Sequence, residues 1–327
     1  MEISKLEPEI YYARHVHSWE LDKDSDNDFI EHLFENKIVA IHFNNIKSWC
    51  VEDYKDGNGA SGGRKKGASS IEYMLRCNGD DDSSNDLPRR YIFSSYKTKD
   101  GKYKILAGQP KRNSKCFFGD YLERLADGSL RDHIYKMFKG NPDRFPNLKM
   151  IFLEDCAKVD LNVFPHVHLL APKQSTFVQW HQCRKLALNY LEGYPLDSND
   201  PDSFLPTALE VACEEYLRQN GLLEMKLMAS GGTLKDFDIV GIDKDGDQVV
   251  AQVKHTTKNS KVNSFAVAAS EYGAKSSYFF SKAPREHAEG VIWIDLAEVF
   301  DFFRQAHKKY LDQLMRATTH LDHNALT

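Results

Sequence analysis

The chain has 327 residues, with 43 Lys and Arg against 48 Asp and Glu, a formal net charge of −5, 41% hydrophobic and 28% charged residues. These proportions belong to a globular protein rather than a disordered one, and the length suits two domains. No apolar run reaches the roughly 18 residues of a membrane span, and MEISKLEPEIYYARH lacks the basic-then-apolar order of a secretory signal, so a cytoplasmic protein with no membrane partner is expected.

The acidic balance does not advertise a polyanion binder, although a local basic patch can coexist with it. Cys50, Cys77, Cys116, Cys156, Cys183 and Cys213 form no CxxC pair; they read as reduced, mostly buried thiols. The best zinc pair, His181 with Cys183, is poor.

From the N-terminus, residues 1–175 read as a β-rich α+β domain with a recognition or sensor role. Ile10–His17 alternates around aromatic residues, and Lys37–Phe43 (KIVAIHF) is a short apolar run of the kind buried strands use; further strands are expected at Arg90–Ser95, Tyr103–Ala107 and Leu148–Leu153. GNGASGGRKKGASS, residues 57–70, reads as a surface loop. It lacks the P-loop spacing, but Arg64, Lys65 and Lys66 at its centre can touch nucleic-acid phosphates. NGDDDSSND, residues 78–86, reads as a solvated acidic loop. His15-Val-His17 and His166-Val-His168 lack a third metal ligand and read as half-exposed strand histidines. Tyr11, Tyr12, Trp19, Phe43, Trp49 and Tyr54 are expected mostly in the core.

Residues 176–202 read as a helix and a linker. Phe177, Trp180, Cys183, Leu186, Ala187, Tyr190 and Leu191 recur at helical spacing over Thr176–Glu192, and GYPLDSNDPDSFLP, residues 193–206, is rich in Pro, Asp and Ser.

Residues 203–327 have the clearest pattern. Ala208–Gln219 is an amphipathic helix stopped by Asn220-Gly221. Strands follow at Glu224–Met228, Asp236–Ile242 and Gln248–Lys254, the last two joined by a turn at Asp245-Gly246. Helix Ser264–Tyr272, strands Ser277–Phe280 and Val291–Ile294, and helix Leu296–Tyr310 complete an α-β-β-β-α-β-β-α order. That order implies an α/β domain, a central mixed sheet flanked by helices. Asp243, Asp245 and Asp247 resemble part of a calcium loop, but they sit at the turn and no Glu closes the set.

The chemistry concentrates on this hairpin. Residues two apart on a strand share a face, so Gln252 and Lys254 project together, with Asp238 on the neighbouring strand. Phosphodiester hydrolysis uses a hard divalent cation on oxygen ligands, Mg²⁺ above all. Asp238 offers a carboxylate, Gln252 a neutral oxygen, the main-chain carbonyl of Val253 another, and Glu210 on the preceding helix a second carboxylate. Lys254 can hold the attacking water and offset charge on phosphorus.

These residues resemble the PD-(D/E)xK nuclease superfamily, the restriction-endonuclease-like fold, and more narrowly its Mrr-type catalytic domains, which carry Gln-x-Lys. The motifs are Leu209-Glu210, Ser230-Gly231-Gly232, Lys235-Asp236-Phe237-Asp238-Ile239-Val240 and Gln252-Val253-Lys254. The spacing at Phe237 is one residue shorter than in relatives, and Asp238, which leads IVGI, is taken as the ligand. The resemblance implies that Glu210, Asp238, Gln252 and Lys254 take the catalytic roles, with Mg²⁺, or Mn²⁺ in its place, as cofactor. It further implies a DNA endonuclease of prokaryotic restriction or anti-phage defence, with RNA as the alternative substrate. A non-catalytic nucleic-acid-binding protein on the same fold is the rival reading. Double-strand cleavage favours a homodimer, since one site cuts one strand. The N-terminal segments IYYARH and KIVAIHF are similar to the opening strands of PUA- or EVE-like modules, small β-barrels that hold a flipped base.

Overall fold

The computed structural model describes residues 7–15, 23–41, 46–55, 63–79, 88–97, 102–137, 148–161, 163–164, 166–172, 176–194, 196–228, 236–255 and 261–319. Its contacts divide the chain into two compact units, Met1–Ala187 and Leu188–Leu326. Each unit is a mixed sheet with helices packed on it.

In the first unit the elements run β1 (Glu9–His15), α1 (Lys23–Glu35), β2 (Ile38–Ile41), α2 (Gly63–Asn78), β3 (Arg90–Lys97), β4 (Tyr103–Pro110), β5 (Cys116–Phe117), α3 (Phe118–Arg124), α4 (Gly128–Met137), β6 (Lys149–Lys158), α5 (His166–Leu169) and β7 (Phe177–Gln179). The strand order is β2-β6-β4-β3-β1-β7, with β5 added to β6. β1 runs parallel to β3 and the other pairs are antiparallel. Strand alternation sends Ile38 and Ala40 of β2 into one cluster, with Phe29, Leu33 and Ile134, and Val39 and Ile41 into another, with Tyr11, Ile71 and Met74. Tyr12 and Tyr54 are buried and Trp49 packs at the margin, while Trp19 and Phe43 lie outside the described residues.

Four readings of the sequence change here. The loop expected over residues 57–70 is helical from Gly63 onward, because Ala68, Ile71, Met74 and Cys77 recur every third residue and are all buried. Their tertiary packing outweighs the glycines that made the segment read as a loop. The side chains of Arg64, Lys65 and Lys66 lie outside the described residues, as does most of the acidic loop. The helix expected over Thr176–Glu192 begins instead as β7, which pairs antiparallel with β1 and stacks Phe177 on Tyr11 at 5.8 Å. Only Arg184–Leu191, α6, is α-helical.

His15 and His166 are the other two changes. Both are buried rather than half-exposed, and His166 belongs to a short helix rather than a strand. The His15 ring stacks on Tyr96, its register partner, with centroids 4.5 Å apart and planes 2° from parallel. The backbone N–H of Ala40 donates to Nε2 at 3.0 Å, so the proton sits on Nδ1, which donates to Ser95 O at 3.2 Å. Burial lowers the pKa of this imidazole to about 4. Lys149 is buried too, its ammonium 5.2 Å from the centroid of the Tyr54 ring, and burial lowers its pKa to about 8.

The second unit holds α7 (Pro206–Gln219), β8 (Met225–Lys226), β9 (Ile239–Ile242), β10 (Gln248–Lys254), α8 (Val262–Tyr272), β11 (Ser276–Ser281), β12 (Ile292–Asp295), α9 (Leu296–Ala306) and α10 (Tyr310–Thr319). The five strands lie in the order β12-β11-β10-β9-β8, antiparallel from β8 to β10 and parallel from β10 to β12. The single helix expected over Leu296–Tyr310 is two helices, because the backbone leaves helical geometry at His307 (φ −142°, ψ 61°). β8 is shorter than expected, and it closes on β9 through Gly241. A Cβ there would lie 2.3 Å from Leu223 Cδ1 and 2.4 Å from Met225 O. At the β9–β10 turn Gly246 takes φ +83°, and Asp243 Oδ1 accepts from the N–H of Asp245 and Asp247. Phe237, Val240, Val250, Phe265, Phe279 and Trp293 form the core between this sheet and α8. Among the described residues no helix is long and apolar enough to cross a membrane.

Candidate active site

α7 positions the first carboxylate. Ala208, Leu209, Ala212, Cys213, Tyr216 and Leu217 are its buried stripe, and Glu210 lies half-buried at the margin of that stripe. Pro206 opens the helix, where a missing N–H costs nothing. Glu210 Oε2 is enclosed and has no hydrogen-bond partner among the described residues. Burial, then the negative charge of Asp238, pushes the Glu210 pKa up to about 7, against opposing pulls from Lys254 and Lys226.

Asp238 sits one residue before Ile239, which pairs with Ala251 across the hairpin. Its N–H donates to Ala251 O at 2.9 Å, while its Oδ2 accepts from the Val253 N–H at 2.8 Å. The Lys254 ammonium lies 3.9 Å from the same Oδ2. Glu210, Asp238 and Lys254 therefore share one electrostatic neighbourhood. Gln252 is on the same face of β10 as Lys254 by alternation and is 7% exposed. Val253 enters through its amide, which fixes the Asp238 carboxylate. Asp236, the other acid of the motif, is exposed.

Two further charged groups adjoin these residues and were not singled out from the sequence. Lys226 of β8 pairs with Glu214, one helical turn after Glu210. Asp202, in the 3-10 turn Pro201–Ser203, binds both His255 and Lys282. His255 directly follows Lys254, which was its one sequence signal. Asp202 lay in a stretch that read as linker, and Lys282 is brought close only by the β10–β11 register.

Among the described residues no three His, Cys, Asp or Glu side chains gather as a metal cluster. A cation here would rest on two carboxylates supplemented by neutral oxygens. The enclosed Glu210 oxygen fits that use: it has paid part of its desolvation with no donor among the described residues in return. Without metal, the raised pKa means that the folded state holds a proton at Glu210 which the unfolded state releases above about 4.5. This favourable term is complete below that pH and disappears as pH rises through about 7. Glu210→Gln should therefore stabilise the metal-free protein at pH 8 by about 1 kcal/mol, discounted for the half-buried side chain, and make little difference at pH 4. Thermal unfolding of both forms across that range checks this; equal shifts at both ends would contradict it.

Comparison of the chain with protein-family models, with curated proteins and with solved structures finds no match.

Proposed function

We propose that residues 188–326 form a metal-dependent nuclease of the PD-(D/E)xK type, of the Mrr-type variant, and that the first unit supplies target recognition. The observation that carries this reading is the buried, unpartnered oxygen of Glu210 beside Asp238, with Lys254 at 3.9 Å from Asp238. Two like charges held together in a partly dehydrated place raise each other's energy unless a cation joins them. Glu210, Asp238, Gln252 and the Val253 carbonyl would hold Mg²⁺ or Mn²⁺, oxygen ligands suited to a hard ion. When bound, the ion supplies charge to polarise the phosphate and to lower the pKa of a water.

The chain's own residues do the rest. The Val253 amide holds Oδ2 of Asp238 and so restrains the carboxylate. Lys254 donates to the attacking water or to a phosphate oxygen and offsets the charge that develops on phosphorus. The substrate class is a polynucleotide, with DNA preferred on the resemblance of the motifs and RNA as the second arm of the test.

Incubation of the full chain with supercoiled plasmid and with RNA is expected to give cleavage in Mg²⁺ or Mn²⁺ and none in excess chelator or in Ca²⁺. Undiminished cleavage in chelator would overturn the metal assignment. Binding without cleavage of either polymer in any metal would select the non-catalytic alternative.

A further inference from the structure

Asp202, His255 and Lys282 take no part in the proposed chemistry, yet they are built as a unit. Asp202 accepts from His255 Nε2 at 2.6 Å and forms an ion pair with Lys282. The turn beneath is fixed: the Asp202 N–H donates to Asp200 Oδ1 at 3.0 Å, and the adjacent Phe204 ring meets Phe300 edge-on at 5.2 Å. The Asp202 side chain is 14% exposed, against 28% for His255 and 22% for Lys282. The carboxylate is thus the more enclosed member, and the two bases are nearer to solvent. His255 follows Lys254 on β10, and Lys282 follows Ser281, the β11 register partner of Lys254. His255 and Lys282 thus stand opposite one another just beyond two adjacent strand ends, at the end of the sheet that carries Lys254.

An ammonium has three donors and an imidazolium two, so Asp202 engages each base and leaves a donor for a phosphate, on His255 in its protonated form. The geometry points to a second phosphate position: His255 and Lys282, held by Asp202, contact a phosphodiester of the polynucleotide at the same end of the sheet as Lys254. This rests on the nuclease reading for the first phosphate. Two contacts on neighbouring strands set the register of the backbone, where one would leave it free to pivot. Asp202 is then a positioning residue, and its charge opposes binding while its geometry supports it.

The opposition of sign makes the test. Fluorescence anisotropy with a labelled DNA duplex of about 20 base pairs, in chelator over a range of salt, reads binding without cleavage. Lys282→Met should weaken binding and reduce the salt slope by about one, while Lys282→Arg retains it. His255→Gln, at the same exposed strand end, should weaken binding as well. Asp202→Asn removes a negative charge from the path of a polyanion, so charge alone requires tighter binding; the positioning role requires weaker binding, with Asp202→Glu recovering part of it. Thermal unfolding of each variant checks that the fold is kept. An unchanged slope in Lys282→Met, tighter binding in Asp202→Asn, or a wild-type chain that fails to bind the duplex would overturn the proposal. Binding that shows all these dependences without cleavage in Mg²⁺ would leave the phosphate position standing and remove the nuclease reading.

Discussion

Lys254→Ala is expected to lower cleavage by about 10²–10³-fold while leaving the protein folded, which is the cost of deleting one electrostatic donor from a reacting phosphate. The lysine side chain is 33% exposed, and its ion pair with Asp238 is loose at 3.9 Å, so little of the fold depends on it. Polynucleotide affinity should fall only modestly, since one phosphate contact among several is lost. Asp238 behaves differently. Its Oδ2 satisfies the Val253 amide, so Asp238→Ala would strand that N–H at about 1–3 kcal/mol and confuse stability with activity. Asp238→Asn keeps an acceptor oxygen and removes the charge, and should abolish both cleavage and metal binding. Asp236→Ala serves as the control, because that side chain is exposed and should be close to neutral. Single-turnover cleavage beside metal titration separates these cases. If Lys254→Ala and Asp238→Asn both cut at the wild-type rate, the active site lies elsewhere. Loss of cleavage on Asp236→Ala alone would move the metal ligand by two residues.

The first unit should lose about 3 kcal/mol of stability between pH 6.5 and pH 4 through His15 alone. Its imidazole has the ordinary pKa when unfolded and one of about 4 when buried. Over that window the unfolded state takes up a proton that the folded state refuses, so stability is fully present above pH 6.5 and drains away as pH falls toward 4. The cause is visible in the bonding. Nε2 already accepts the Ala40 N–H, so a second proton would set two donors against each other. His15→Gln should lower stability at neutral pH and flatten the acid slope. Urea unfolding at a series of pH values measures both. An acid slope unchanged in the variant would show that another group governs it, and an NMR titration of the ring near 6.5 would contradict the buried neutral form directly.

The second unit was largely legible from the sequence because its signals are local. Alternating residues in QVVAQVK, the turn at Asp245-Gly246 and the apolar stripe of α7 each fix an element without reference to the rest. The hairpin brings Asp238, one residue ahead of β9, beside Lys254 at the end of β10, and Glu210 required only that α7 pack beside it. Asp202 and Lys282 could not be found in this way. They meet across a gap of 80 residues, and nothing near either one in the chain signals the other. The first unit was harder for a related reason. Its sheet joins segments distant in sequence, β1 to β3 and β1 to β7, so the strand at Phe177–Gln179 exists only because β1 offers it an edge. Its apolar residues, spaced as if for a helix, could not reveal that edge. In α2 the opposite occurred: four buried residues made a helix whose first half had read as a surface loop.

The thiol of Cys213 lies on the buried face of α7, less than one helical turn from Glu210, and is fully enclosed. Burial raises its pKa, and the charges of Asp238 and Glu210 raise it further. A thiol reagent therefore reaches it only when α7 opens, which makes its alkylation rate a clock for local unfolding at the proposed active site. Exposed Cys50 reacts first and serves as the reference for reagent concentration. A divalent ion that binds the folded form lowers the population of the open one, so at the proposed metal site Mg²⁺ is expected to slow Cys213 labelling by the factor one plus the ratio of ion concentration to dissociation constant. Cys213 labelling thus tests the proposed metal site, readable by mass spectrometry with no substrate present.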